Sequence, residues 1–421
     1  MHKSKCQYNY KNINFDRFGR FLIFAMLPCS LVIARQSSPA ILFLGFAFIL
    51  MNSIKSQNLS EIKYFIENNS FNINYIIILI FSIYALISIF WSYDYRISLH
   101  QLIWEFLFPV LIGGLAVALV DKSDRMFSVW VIFFGFLFAS SLIIFENSTG
   151  YFIATSLGNR GAPSDLNHSV ITLSIIFWPA LALLRSGLSK NKFKFIIYIL
   201  FILFGFTAIF MTVTHASRLA LIIGAISFLI VFLLKKKSYL IFGLILTGLI
   251  FIQPIWGDLL YRSIPNSVFE KLKFSAFERV QIWQSTGAMV IESPIFGIGF
   301  GGSKNISKAP SYYSIEEKYR KNVNHPHPHN NFLQIWLELG VVGVGIFWIF
   351  ILGITYLLIK HERGYENETF AFSTSTALVA LISHGAWQAW WITAIMVGIV
   401  MLSVAEAPVS DGSSKIKQLN I

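Results

Sequence analysis

Cysteine is nearly missing from this sequence. Cys6 and Cys29 are the only two, and neither sits in a spacing that suggests a disulfide or a metal site. No group of Asp, Glu, His and Cys elsewhere has metal-ligand spacing, so neither a metal nor a cofactor is expected. Charge is scarce as well: 13% of residues are charged, with 21 acids against 33 bases and a net charge of +12. A soluble chain of 421 residues that is 55% hydrophobic, with a mean hydropathy of +0.64, cannot hide that much apolar surface. No small-residue cleavage site follows the first apolar run, which reads as a retained helix and not as a removable signal peptide. The glycine-rich GIGFGG at 297–302 lacks the lysine of a P-loop. It reads as a turn, or as backbone amides able to cradle a phosphate. No internal repeat is visible.

What is present is a series of apolar runs of about 20 residues, the mark of a polytopic helical membrane protein. Twelve candidate spans lie at 21–35, 39–54, 73–91, 100–120, 127–146, 168–186, 193–213, 219–234, 238–256, 331–359, 369–387 and 388–405. Phenylalanine is abundant (41 residues), as lipid-facing helices allow. The reading is an all-α chain in four parts. Residues 1–256 form the first nine spans and 257–330 one large extramembrane loop. Residues 331–405 form the last three spans and 406–421 a tail.

Orientation follows from Lys and Arg. With the N-terminus in the cytoplasm, that side holds Lys3, Lys5, Lys11, Arg17, Arg20, Lys190, Lys192, Lys194, Lys235–Lys237, Lys360, Arg363, Lys415 and Lys417. The short segments of the other side hold only Arg35, Arg96, Arg160 and Arg218. This places both termini inside and the large loop outside, in the periplasm of a Gram-negative cell. The positive balance is thus first a topology signal; the partner it implies is the lipid bilayer, with no nucleic acid. Within the loop, Val280, Trp283, Gly287 and Val290 have helical spacing, Pro294 ends that helix, and two or three short helices are expected over the bundle.

The chemistry concentrates in His325–Gly345, HPHPHNNFLQIWLELGVVGVG. The prolines impose extended backbone and keep His325, His327 and His329 out of a helix. Asn330 or Asn331 can cap the helix that follows. Gly340 and Gly343, one turn apart, suggest a flat face for a neighbouring helix. His329 has three readings. It is a general base with an ordinary pKa of about 6.5, kept neutral by nearby arginines. It is a metal ligand, which an extended run that splays successive rings disfavours. Or it is a helix-entry residue bonded to backbone.

Arg218 in THASRLALIIG, Arg279 at the start of the loop helix and Arg160 in GNRGAPSDLN all face the compartment of His329. Arginines with few acids nearby suit a polyanion such as a diphosphate, which guanidinium grips in a fork. The plain alternative is snorkelling and topology anchoring. Trp283, Trp336, Tyr312, Tyr313, Trp387, Trp390 and Trp391 can stack on sugar rings or belong to interfacial belts. Glu316 and Glu317 read as a solvated helix face.

These residues resemble a known family. His329-Asn330, nine residues, Gly340, two residues and Gly343 match the His-Asn/Ser/Gln-x9-Gly-x2-Gly signature of the O-antigen ligase family, which carries the Wzy_C domain. RVQIW from Arg279, SPIFGIGFGG, SRLA around Arg218, IFWSYDYRISL at 89–99 and RGAPSDLN are similar to further family segments, and the similarity spans roughly 75–400. The resemblance implies a GT-C-like fold and a metal-independent, inverting glycosyltransferase of the inner membrane. Its donor would be an undecaprenyl-diphosphate-linked glycan and its acceptor lipid A–core. It implies that Arg218 and Arg279 hold the diphosphate and that His329 orients or deprotonates the acceptor hydroxyl. Arg160, Asn330 and Trp283 would contact substrate. An O-antigen or exopolysaccharide polymerase of the same family is the nearest alternative. A transporter of lipid-linked oligosaccharide is more remote, because the informative charges gather at one mouth and not along a path through the bilayer.

Overall fold

The computed structural model describes residues 14–34, 36–55, 73–158, 161–265, 274–360 and 364–406, and every element among them is helical. A continuous helical stretch, α1, runs through Phe15–Phe21, Leu22–Met26 and Leu27–Ile33. It is followed by α2 (Ser38–Lys55), α3 (Asn74–Trp91), α4 (Tyr95–Leu119), α5 (Arg125–Ser148), α6 (Pro163–Leu188), α7 (Lys194–Met211), α8 (His215–Leu234) and α9 (Lys236–Ser263). The large loop contributes α10 (Phe274–Glu292), α11 (Pro310–Ser314) and α12 (Glu317–Val323). The chain then returns through α13 (Asn331–Lys360), α14 (Glu366–Ile382) and α15 (Ala389–Glu406).

Ten of these helices, α2 to α9, α13 and α15, are long and apolar enough to cross a membrane. The chain is a polytopic membrane protein. The first and eleventh expected spans coincide with α1 and α14. α1 carries Asp16, Arg17 and Arg20, and α14 has only 17 residues. The break between the last two spans falls at residues 383–388, earlier than the hydropathy suggests, and this short connection lies against the candidate site.

α6 is the centre of the bundle. Nearly every position from Ser169 to Leu184 is buried, polar Ser169, Thr172 and Ser174 included, so this helix faces other helices on all sides. α15 packs along it, and α8 packs on α14. At one end of the bundle, charges pair closely. Arg20, wholly buried, meets Asp16 at 2.6 Å and donates to the Asp124 carbonyl and to Ser128 Oγ. Arg17 meets Asp124 at 2.6 Å, and Arg185 meets Glu368 at 3.1 Å.

At the other end the loop is fastened onto the bundle. α10 lies tight against α9 because Gly257 and Gly287 have no side chain. A Cβ on Gly257 would strike the backbone of Trp283 and Gln284, and one on Gly287 the Pro254 carbonyl. Lys304 reaches Glu105 at 3.0 Å, Asn305 donates to Asp94, and the Phe300 amide donates to Ser88 Oγ at 3.0 Å.

α13 is broken at Gly340, whose φ of 61° and ψ of −165° suit glycine and few other residues. The flat-face reading of Gly340 and Gly343 therefore does not hold; Gly340 makes a kink, and Gly343 faces the Leu339 side chain. The kink frees backbone groups that need partners. Ile298 and Gly299 donate to the Leu337 and Glu338 carbonyls at 2.9 Å, Tyr84 Oη donates to the Leu339 carbonyl at 2.9 Å, and Val341 donates to the Pro294 carbonyl at 2.8 Å. Three GIGFGG amides thus go to the broken helix, those of Ile298 and Gly299 to its carbonyls and that of Gly301 to the Glu338 side chain.

Candidate active site

The His-Pro run forms a bent, non-helical arch between α12 and α13. Trp283 Nε1 donates to the Pro328 carbonyl at 3.0 Å, and Ser303 Oγ, whose one proton is shared with Glu338, lies 3.2 Å from the Pro326 carbonyl. Asn330 closes the arch as a helix cap, accepting from the Leu333 amide at 3.1 Å through Oδ1. Its Nδ2 donates to Gln253 Oε1 of α9 at 2.7 Å. Both ends of this amide are therefore engaged within the protein, and the buried Trp283 indole N–H is engaged likewise.

His329 sits between Pro328 and Asn330 with φ at 54°, in the left-handed region that a side chain enters under strain. Its Nδ1 lies 2.6 Å from the Ser383 carbonyl, in the connection between α14 and α15. A carbonyl only accepts, so Nδ1 carries the proton, and in the neutral ring Nε2 keeps its lone pair. Among the described residues nothing hydrogen-bonds to that Nε2. Burial lowers the His329 pKa; the bond to Ser383 opposes this, while the Arg279 guanidinium and His325 push further down. Burial, more than the nearby arginine, thus favours the neutral ring near neutral pH. His327, edge-on to His329 with centroids 4.4 Å apart, is pushed down to about 3 by burial and by its histidine neighbours.

Arg279, in the first half of α10, is close enough to act electrostatically on both His329 and His384. Burial lowers its own pKa and the adjacent Glu278 pulls it back, yet among the described residues Arg279 makes no ion pair. Arg218 lies in the first turn of α8, donates to the Thr212 carbonyl and leaves its buried Nε without a partner. Its link to the others is indirect. Thr214 donates to Asn167 at 2.6 Å at the start of α6, and the next residue, His168, stacks on Trp390 at 4.2 Å. Trp390 is edge-on to His384 at 4.6 Å. Arg279, His329, Asn330 and Trp283 thus come together, whereas Arg218 shares their end of the bundle without touching His329. Arg160 lies outside the described residues.

Three features escaped the sequence reading. The first is Glu338, fully buried in α13 and holding four donors. Its Oε1 accepts from Ser303 Oγ at 2.5 Å and Gln334 Nε2 at 2.9 Å; its Oε2 accepts from the Gly301 amide and Trp387 Nε1, each at 2.7 Å. This carboxylate ties the loop, α13 and the 383–388 connection into one frame. A lone acid inside an apolar helix was the available signal. The second is His384, whose buried Nε2 lacks a partner among the described residues and whose pKa is held well down by burial, then by the neighbouring histidines and Arg279. The third is Ser383, whose part is played by its backbone and leaves no trace in residue type. Among the described residues no group of three His, Cys, Asp or Glu is arranged to hold a metal ion.

A neutral imidazole with an available nitrogen, near a guanidinium that makes no ion pair among the described residues, suits proton removal beside an anion. Comparison with known proteins agrees in kind. The family model Wzy_C, described as O-antigen ligase, matches residues 199–348, a stretch that contains Arg218, Arg279 and His329. A Rickettsia conorii protein named "Putative polysaccharide ligase" is 30% identical over 318 residues, 72% of either chain. Proteins of the same name from Rickettsia typhi and Rickettsia prowazekii are 30% and 29% identical, over 65% of this chain and 67% of theirs.

Proposed function

The chain belongs to the O-antigen ligase family, and from that membership we propose a specific reaction: transfer of a glycan from undecaprenyl diphosphate to a hydroxyl of lipid A–core, at the periplasmic face of the inner membrane, with both termini in the cytoplasm. The observation that carries the reading is the pair formed by His329, neutral with Nε2 available, and Arg279, which makes no ion pair among the described residues.

The reaction is a single inverting displacement. An acceptor hydroxyl attacks the anomeric carbon of the donor glycan while its proton passes to His329 Nε2. The bond from that carbon to the phosphate oxygen breaks, and undecaprenyl diphosphate departs with the electron pair. Arg279 and Arg218 bind the diphosphate and offset the charge that grows on it, the task a divalent ion performs in other transferases. Arg160 is a third candidate for this contact. Asn330 and Trp283 act by fixing the His329 arch. The diphosphate linkage is already activated, so no ATP enters. Lys and Arg gathered at the opposite end of the bundle support the orientation.

The test is a surface-polysaccharide gel from a strain lacking this protein. Loss of the ladder on lipid A–core, with long chains accumulating on the lipid carrier, is the expected result. Single repeats accumulating, with one repeat still joined to the core, would replace the ligase by a polymerase.

A further inference from the structure

The loop carries a second feature that the transfer reaction leaves unused. Tyr312, Tyr313, Glu317, Lys318 and Arg320 line an open groove of about 770 Å³ on α11 and α12, outside every span. Tyr313 is 63% exposed, yet it is held firmly. Arg320 donates through Nη2 to the Tyr313 carbonyl at 2.8 Å and through Nε to the Ile315 carbonyl at 3.2 Å. Its guanidinium also lies 5.8 Å from the Tyr313 ring centre. Tyr312 braces that ring edge-to-face, with centroids 5.2 Å apart.

We propose that this groove is a glycan-binding subsite that holds the sugar chain of the donor outside the reaction centre; the inference rests on the transfer reaction proposed above. A sugar ring offers an apolar C–H face and a rim of hydroxyls. The Tyr313 face meets the first, and the Glu317 carboxylate with the N–H groups that Lys318 and Arg320 have left meets the second; a pre-set aromatic loses little freedom on binding. A lipid tail would need an apolar lining, which Glu317, Lys318 and Arg320 deny. A free phosphate would need unspent cations, but Lys318 pairs with Glu316 at 2.6 Å and Arg320 serves backbone carbonyls. The donor is the source because α12 packs on α10, the helix that bears Arg279, so a chain hanging from a diphosphate there runs past the groove.

The experiment uses the full-length protein in nanodiscs and, as probe, the delipidated O-polysaccharide released from the host's lipopolysaccharide by mild acid. Tyr313→Ala is expected to weaken its binding about tenfold, and Tyr313→Phe to keep it. With lipid-linked donors, Tyr313→Ala should raise KM for long chains, leave a single-repeat donor unaffected and leave the acceptor KM unchanged. Equal binding by wild type and Tyr313→Ala, or no binding by either, overturns the subsite. A rise in acceptor KM alone overturns the assignment to the donor. If the wild type transfers no donor while binding still depends on Tyr313, the reaction fails and the sugar groove stands.

Discussion

Arg279 and Arg218 differ in their partners from the arginines at the other end of the bundle, although Arg262, at their own end, pairs with Asp258 at 2.8 Å. At that other end, Arg17, Arg20 and Arg185 each meet a carboxylate at 2.6–3.1 Å, and backbone carbonyls take up further donors of Arg20 and Arg185. By contrast, Arg279 has no ion pair among the described residues, and Arg218 has a carbonyl and a stranded Nε. Burying a cation without its counter-charge is unfavourable, and a fold can retain it where a ligand brings the missing charge. Paired arginines at one end tie helices together; under the proposed reaction, Arg279 and Arg218 near the other are where the diphosphate would bind.

The largest expected effect is at the open end. His329→Ala should lower transfer by about 10²–10⁴-fold, measured as polysaccharide joined to lipid A–core at equal membrane levels of protein. Retained transfer would move the base to another histidine of the arch. Glu338→Ala tests the frame that holds the open end in place. Removing a carboxylate that satisfies four buried donors should cost roughly 3 kcal/mol or more of stability, seen as a lower unfolding temperature in detergent, with Glu338→Gln falling between. An unchanged unfolding temperature would show that the loop is fastened some other way.

A smaller effect is expected from pH. In the proposed reaction the neutral ring is the active form, and burial lowers the His329 pKa. Transfer should therefore stay flat as pH falls towards the ordinary histidine value of about 6.5 and decline only below it. An acid limb centred at or above that value would contradict the buried, neutral base. The smallest effect, none, is expected from EDTA, because the guanidinium groups act where a divalent ion would. Loss of transfer that one specific divalent ion restores would reverse this.

Much of this organisation is legible in the sequence, for reasons that differ by element. Apolar runs and Lys/Arg asymmetry reveal spans because hydropathy is local. The arch at His329 is legible because proline and a capping asparagine act on neighbours a few residues away. The GIGFGG turn and Gly340 are each visible, but their mutual dependence is not. It joins backbone groups about 40 residues apart, Ile298 and Gly299 to Leu337 and Glu338. For the same reason the sequence shows Arg279 and His329 as candidates and hides the Ser383 carbonyl that sets the tautomer, 54 residues beyond His329. Trp283 shows what burial adds: an aromatic that suits a sugar by type turns out to anchor Pro328.

The most direct measurement compares one arginine from each end. Purified wild type, Arg279→Ala and Arg185→Ala would be placed in proteoliposomes with an undecaprenyl-diphosphate-linked glycan and lipid A–core, and transfer measured per folded molecule. The account predicts that Arg279→Ala loses about 10²–10³-fold, while Arg185→Ala loses stability and keeps its rate. Equal rates for Arg279→Ala and wild type, or a loss confined to Arg185→Ala, would contradict it.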